Sequence, residues 1–251
     1  MTYIPFETRF YPFIFYYIFL SIFGILATFQ MLSKWRERKV PAPLYLSLVF
    51  TFLTTAIIGL LLGLGEAAVT GYFKEIYRFS LPFAFSMVVI ADIFLYLFVI
   101  TITRKDKKKV IPFFLTGIAV IILLFLPWNW WGTPSQDYVG QPDIRLFSTS
   151  IFVIYSYVIY VSIAIICYKT KNKTEDLKAR TGLILLFYSM ISLIIFFIML
   201  ILDTLMITFY NHPGYSEFAY IGWGFAVLFI ILSYLSLVMP DWLVKWLEKK
   251  K

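Results

Sequence analysis

An aspartate interrupts an apolar run that is long enough to cross a membrane. The run VVIADIFLYLF, residues 88–98, contains Asp92, with Tyr96 one helical turn further on. Arg78 and Arg104 are the flanking charges, and a rise of 1.5 Å per residue places each about 20 Å from Asp92 along a helix. A carboxylate at that depth costs about 2.5–3.5 kcal/mol on insertion scales. Asp92 is therefore expected to face other helices and to be hydrogen-bonded or protonated.

Two interpretations of Asp92 follow from its chemistry. In the first, the carboxyl makes a packing hydrogen bond to Tyr96 or to a serine of a neighbouring helix, worth about 1 kcal/mol. In the second, Asp92 is a switch or a proton-linked group whose state depends on how the helices pack. The sequence leaves both open, and both place the carboxyl in the interior of a bundle.

Three more acidic residues lie at predicted helix ends on one side of the membrane. Glu66 ends the second apolar segment, Asp203 lies near the end of the sixth, and Glu217 opens the seventh. Carboxylates are too costly to leave facing lipid. The pattern therefore predicts a water-accessible cavity that opens outward and favours a cationic or polar ligand.

The elements that must position these acids are membrane helices. Of the 251 residues, 61% are hydrophobic and 14% are charged, whereas soluble domains are roughly half apolar. The charges lie in short clusters between apolar stretches of about 20 residues, the length of a spanning helix. An all-α seven-helix transmembrane bundle is thus predicted over residues 1–239. Its helices are expected near residues 11–31, 43–65, 79–101, 110–127, 146–168, 181–207 and 216–239.

The basic residues predict the orientation of this bundle. Eighteen of the 22 lysines and arginines follow the first, third, fifth and seventh apolar segments, and the other four lie on the opposite side. Because cytoplasmic loops retain basic residues, the N-terminus is predicted to be outside and the C-terminus in the cytoplasm of a multi-pass cell-membrane protein. The expected partners of these clusters are anionic lipid headgroups. Since no nucleic-acid motif accompanies them, nucleic acid is not an expected partner.

The positions of the tryptophans agree with this predicted orientation. Indole rings prefer the membrane interface, and the sequence places them at predicted helix ends, although the outer cluster PWNWWG could instead be a recognition surface. Residues 240–251 begin with Pro240 and are predicted to form a short, basic, amphipathic helix along the inner leaflet. The predicted interface anchors are Trp35 and Trp242 on the inner side and Trp128, Trp130 and Trp131 on the outer side.

The small polar inventory argues against an enzyme and against a cofactor. His212 is the single histidine and Cys167 the single cysteine, so a bis-histidine haem, an HExxH zinc site and an intrachain disulfide are not possible. The last apolar segment holds no lysine that could bind retinal. No serine in the apolar segments has a histidine or lysine partner at depth. No catalytic residue, metal site or cofactor is therefore expected.

Two stretches carry a resemblance to a known family. EFAYIGWGFAVLFIILSYLSLVMPDWLVKWLEKK, with Gly222, Trp223 and Pro240, resembles the last membrane helix and exit of the seven-helix N-terminal sensor regions of prokaryotic, including archaeal, histidine kinases. TGYFKEIYRFSL, residues 70–81, looks like the extracellular turn between their second and third helices. In that family the exit helix continues into dimerisation and kinase domains, whereas this sequence ends at Lys251. The resemblance therefore implies a sensor that signals through a separate partner protein.

A small seven-helix transporter of a polar or cationic solute is the alternative. Sugar-exporting and Pro-Gln-loop transporters share the predicted orientation, but they repeat a three-helix unit, usually with a Pro-Gln pair. This sequence has no Pro-Gln pair and no evident internal repeat. A receptor-like sensory module is thus the expectation, with its ligand and oligomeric state left open.

Overall fold

The computed structural model describes residues 3, 5–126, 145–210, 212 and 215–239. It is 88% helical, and no strand is found in this part of the chain. Helices are the expected solution in lipid, because they satisfy their own backbone hydrogen bonds. Within these residues the α-helices are α1 (Tyr11–Arg38), α2 (Pro41–Thr70), α3 (Glu75–Ile102), α4 (Ile111–Leu124), α5 (Arg145–Lys171), α6 (Leu177–Tyr210) and α7 (Glu217–Val238).

Six of these helices are long and apolar enough to cross a membrane. The prediction of an all-α, multi-pass membrane protein is therefore confirmed. The exception is α4, whose 14 residues span about 21 Å at 1.5 Å per residue. Seven crossings with the N-terminus outside therefore stay a prediction. The outer tryptophan cluster and the tail at residues 240–251 lie outside the described residues.

Helix ends follow local chain chemistry. Lys39 adopts the left-handed conformation (φ 54°) after α1, and Pro41 then starts α2 at the first helical position, where a missing N–H costs nothing. Gly71 ends α2 with φ 76°, a conformation that glycine adopts without strain. The helices also extend past the apolar runs, so that the basic residues Arg36 and Arg38 form the last turn of α1.

The chain divides into two compact units, Met1–Ser156 and Tyr157–Lys251. In the first unit α2 packs against α1 and α3, and α4 packs against α3. Of the three long helices of this unit, α3 is the most enclosed. In its most apolar stretch 61% is buried, against 33% for α1 and 39% for α2. Small residues let these helices approach: a Cβ on Gly63 would lie 2.9 Å from the Tyr77 Cα and 2.5 Å from the Ser80 Oγ.

The N-terminal segment folds onto the turn between α2 and α3. The Phe6 N–H donates to the Gly71 carbonyl at 2.8 Å, and Pro5 forms an isolated antiparallel bridge with Tyr72. Aromatic rings reinforce this contact, since Phe73 lies 5.0 Å from Phe10 and 5.9 Å from Phe6 between ring centroids. The segment before the first membrane helix is thus tied to the α2–α3 turn.

In the second unit α6 and α7 form a close pair. A Cβ on Gly182 of α6 would lie 2.9 Å from the Ser236 carbonyl oxygen of α7, so only glycine fits without a backbone shift. The Trp223 indole packs edge-on against Phe196 at 5.3 Å between ring centroids. The Tyr157 hydroxyl, at the start of this unit, donates to the Ile194 carbonyl at 3.0 Å.

Candidate functional site

Asp92 is buried inside the first unit and bonded to another helix. Its side chain is 2% exposed, and its Oδ2 accepts a hydrogen bond of 2.8 Å from the Ser156 hydroxyl of α5, which is fully buried. The residue lies 10 residues before the end of α3 and 17 after its start, about 15 Å and 25 Å along the axis. The packing prediction, an interior carboxyl bonded to a hydroxyl of a neighbouring helix, is confirmed in its geometry.

Ser156 differs from most hydroxyl residues in this protein. The hydroxyls of Thr51, Ser86, Thr101 and Ser189 each donate to a carbonyl three or four residues earlier in their own helix. Such local bonds satisfy the hydroxyl in an apolar environment. Ser156 instead donates to a carboxylate 64 residues away in sequence. Its hydrogen bond therefore links two helices.

Two tyrosines lie near the Asp92–Ser156 pair and contact Phe113 of α4. The hydroxyl of Tyr155, the residue before Ser156, donates to the Phe113 carbonyl of α4 at 3.0 Å. Tyr96 is buried one turn from Asp92 and packs its ring against Phe113, with ring centroids 4.5 Å apart. The pair thus lies where α3, α4 and the first half of α5 meet. The sequence alone predicted neither Tyr155 nor Ser156 as part of the site.

Glu66 acts as a helix cap supplied from a neighbouring helix. Its Oε2 accepts hydrogen bonds from the backbone N–H groups of Ile76 (3.0 Å) and Tyr77 (3.2 Å), the second and third residues of α3. These two donors are the ones that an N-cap side chain usually satisfies. Lys74 occupies the N-cap position and makes no side-chain cap. Glu66 replaces that cap and places its carboxylate at the positive end of the helix dipole.

Asp203 has a comparable structural role in the second unit. Its Oδ1 accepts a hydrogen bond of 2.6 Å from the backbone N–H of Ser216, the N-cap residue of α7. Glu217 is the first residue of α7 and is exposed, a position in which a carboxylate also complements the helix dipole. Both acids therefore contribute to the start of α7.

These contacts give the predicted outer acids a local explanation. Glu66 belongs to the first unit, while Asp203 and Glu217 belong to the second. The outward-opening cavity that would gather all three stays a prediction. Arg78, near the start of α3, is engaged as well, since its buried guanidinium donates to both carboxylate oxygens of Glu75 at 2.9 Å.

The remaining sequence candidates are placed as follows. Trp35 lies half-buried in the last turns of α1, with the Lys39 ammonium 5.5 Å from its ring centroid. Trp128, Trp130, Trp131 and Trp242 lie outside the described residues. Within the described ranges, no group of three or more His, Cys, Asp and Glu side chains could hold a metal ion. The pair Asp92–Ser156 is the candidate site that the geometry supports best.

Comparison of the chain with protein-family models, with curated proteins and with solved structures gives no match. The candidate site therefore rests on the chemistry of its own residues.

Proposed function

We propose that this chain is a membrane-embedded, receptor-like sensory module whose conformational state is linked to the protonation of Asp92. The observation that carries the proposal is the buried hydrogen bond between Asp92 of α3 and Ser156 of α5. An ionisable residue deep in an apolar helix is costly, so it is retained mainly where it has a function. The resemblance to histidine-kinase sensor regions supports the same class.

The chemistry of the pair suits a protonation switch. An ionised Asp92 can only accept hydrogen bonds, and the Ser156 hydroxyl donates to it. A protonated Asp92 can itself donate, and the same hydroxyl can then accept. The link between α3 and α5 can thus persist in both states while its charge changes. A change of one charge in an apolar interior alters the relative stability of alternative helix packings.

The proposed arrangement is seven crossings with the N-terminus outside, which the distribution of basic residues supports. Single cysteines at Lys107 and Lys173, in a Cys167→Ala background, are expected to react with a membrane-impermeant maleimide only after cells are opened. A cysteine at Asp137, a position predicted to be outside, should react in intact cells. Labelling of the Lys107 position from outside would contradict this orientation.

A pH-dependent distance measurement on reconstituted protein tests the sensory function. Spin labels at Arg38 after α1 and at Lys108 before α4, both exposed, report on the packing of the first unit. We expect their distance distribution to shift between pH 5 and pH 8 in liposomes without any solute gradient. A transporter would instead show protein-dependent proton or solute flux across the same liposomes. An unchanged distance distribution together with measurable flux would favour the transporter and overturn the sensory proposal.

A further inference from the structure

An apolar groove runs between α3 and α4 in the first unit. Its volume is about 430 Å³, within the range of about 300–1,000 Å³ that small-molecule sites occupy. Every atom that it exposes is apolar. The groove is lined on α3 by Ile90, Ile93 and Leu97 and on α4 by Ile111, Phe114 and Ile118.

The groove is open along its side. Ile111 is 55% exposed, Phe114 is 50% exposed and Ile118 is 40% exposed. Side chains that are this apolar and this exposed match hydrocarbon rather than water, so we expect the groove to open to the lipid phase. A polar solute would find no hydrogen-bonding partner in it. An acyl chain matches its chemistry.

A cluster of positive charge stands at one end of this groove. The 3₁₀ turn Lys107–Val110 leads directly into α4, and both Val110 and Ile111 line the groove. In a 3₁₀ turn, side chains three residues apart lie above one another, so Lys107 shares the face of Val110. Lys108 precedes Ile111 by the same spacing. Both lysines are exposed. Asp106, the residue before the turn, accepts a hydrogen bond from the Lys108 backbone N–H.

We propose that this groove binds one anionic phospholipid, with an acyl chain between α3 and α4 and the headgroup at Lys107 and Lys108. The occupant follows from charge complementarity: an apolar channel ends at a basic turn, and an anionic phospholipid combines the two matching parts. The proposal is independent of the sensory function, because it concerns the exposed groove between α3 and α4 rather than the buried Asp92–Ser156 pair.

Native mass spectrometry of the delipidated full chain tests this site. The protein is titrated with phosphatidylglycerol and with phosphatidylcholine of identical acyl chains. One phosphatidylglycerol is expected to bind in preference. Lys107→Ala with Lys108→Ala should weaken that binding about tenfold, because two headgroup contacts are lost. The matched control, Lys173→Ala with Lys178→Ala, removes equal charge from another basic connection and should leave the preference unchanged.

A second measurement reports on the groove itself. A bimane label on a cysteine at Phe114, in the Cys167→Ala background, should be quenched more by phosphatidylglycerol with brominated chains than by brominated phosphatidylcholine. Ile118→Trp should fill the groove and reduce phosphatidylglycerol binding, and the bimane result remains informative if this variant does not fold.

Four outcomes would overturn the proposal. Equal binding of the two lipids would remove the role of the basic turn. An equal loss in the Lys173 and Lys178 control would show general charge attraction only. Competition by glycerol phosphate without acyl chains would indicate a simple anion site. Cross-linking of two chains through the Phe114 cysteine would identify a second copy as the occupant of the groove.

Discussion

Replacing Gly63 with alanine is expected to lower the free energy of unfolding by about 1–3 kcal/mol, the usual cost of overpacking a close contact. The new Cβ would lie 2.5 Å from the Ser80 Oγ and 2.9 Å from the Tyr77 Cα. A hydroxyl can rotate away, but the Tyr77 backbone belongs to α3, so α2 and α3 would have to separate. The exact position of α3 matters because this helix carries Asp92.

Gly65, two residues further along α2, is the matched control. A Cβ there would meet nothing within 4 Å. Because alanine is favoured over glycine in a helix interior, by about 1 kcal/mol in aqueous hosts, Gly65→Ala should leave stability unchanged or raise it. Thermal and denaturant unfolding in detergent compare the two variants. Equal effects of both substitutions would show that the α2–α3 contact at Gly63 is not tight.

The helices could be predicted because apolar length alone specifies them. All seven predicted segments have a corresponding helix. Five of the helices are longer than predicted, because a helix can continue past the first charged residue, whereas an apolar run ends there. The helices α4 and α7 are shorter than predicted. Arg36 and Arg38 extend α1 beyond its apolar run, and the helix ends only where Lys39 turns left-handed. Helix ends are decided by backbone conformation and capping, which an apolar count does not contain.

The partners of the polar residues could not be predicted in the same way. The sequence shows that Asp92 is costly in a membrane and predicts a hydrogen bond to Tyr96 or to a serine of a neighbouring helix. Several serines lie in the neighbouring segments, so the partner cannot be chosen from the sequence. The packing of α3 against α5 selects Ser156. The sequence predicts Glu66 as part of a ligand cavity, because it does not show that the start of α3 lies within hydrogen-bonding distance of this side chain. Such contacts depend on how helices are placed in space.

The contact between the N-terminal segment and the α2–α3 turn shows the same limit. Phe6, Phe10 and Phe73 form one aromatic group although more than 60 residues separate the first from the last. Aromatic residues near a membrane interface are common, so their presence did not indicate this contact. Their packing depends on where the turn at Gly71 places Phe73, and the sequence does not give that position.

Asp92→Asn is expected to preserve stability and to abolish the pH response of the first unit. Asparagine is nearly isosteric and retains an acceptor for the Ser156 hydroxyl, so the free energy of unfolding should change by less than about 0.5 kcal/mol. Asp92→Leu removes the acceptor and leaves the buried Ser156 hydroxyl without this partner, which should cost about 1 kcal/mol. Thermal unfolding in detergent measures both changes.

The pH response separates a packing role from a switch, and Ser156→Ala is the variant that distinguishes them. This substitution removes the 2.8 Å hydrogen bond but retains the titratable carboxyl. If Asp92 is the switch, Ser156→Ala should still show a distance change between the Arg38 and Lys108 labels from pH 5 to pH 8, with an altered midpoint, whereas Asp92→Asn should show none. If the hydrogen bond matters only for packing, a double-mutant cycle of Asp92→Leu with Ser156→Ala should give a coupling near 0.6 kcal/mol, about the average for hydrogen bonds between membrane helices. Neither Asp92→Asn nor Ser156→Ala should then change the response of the labels to pH. An Asp92→Asn protein that responds to pH like the parent would remove Asp92 from the sensing mechanism and leave it as a link between α3 and α5.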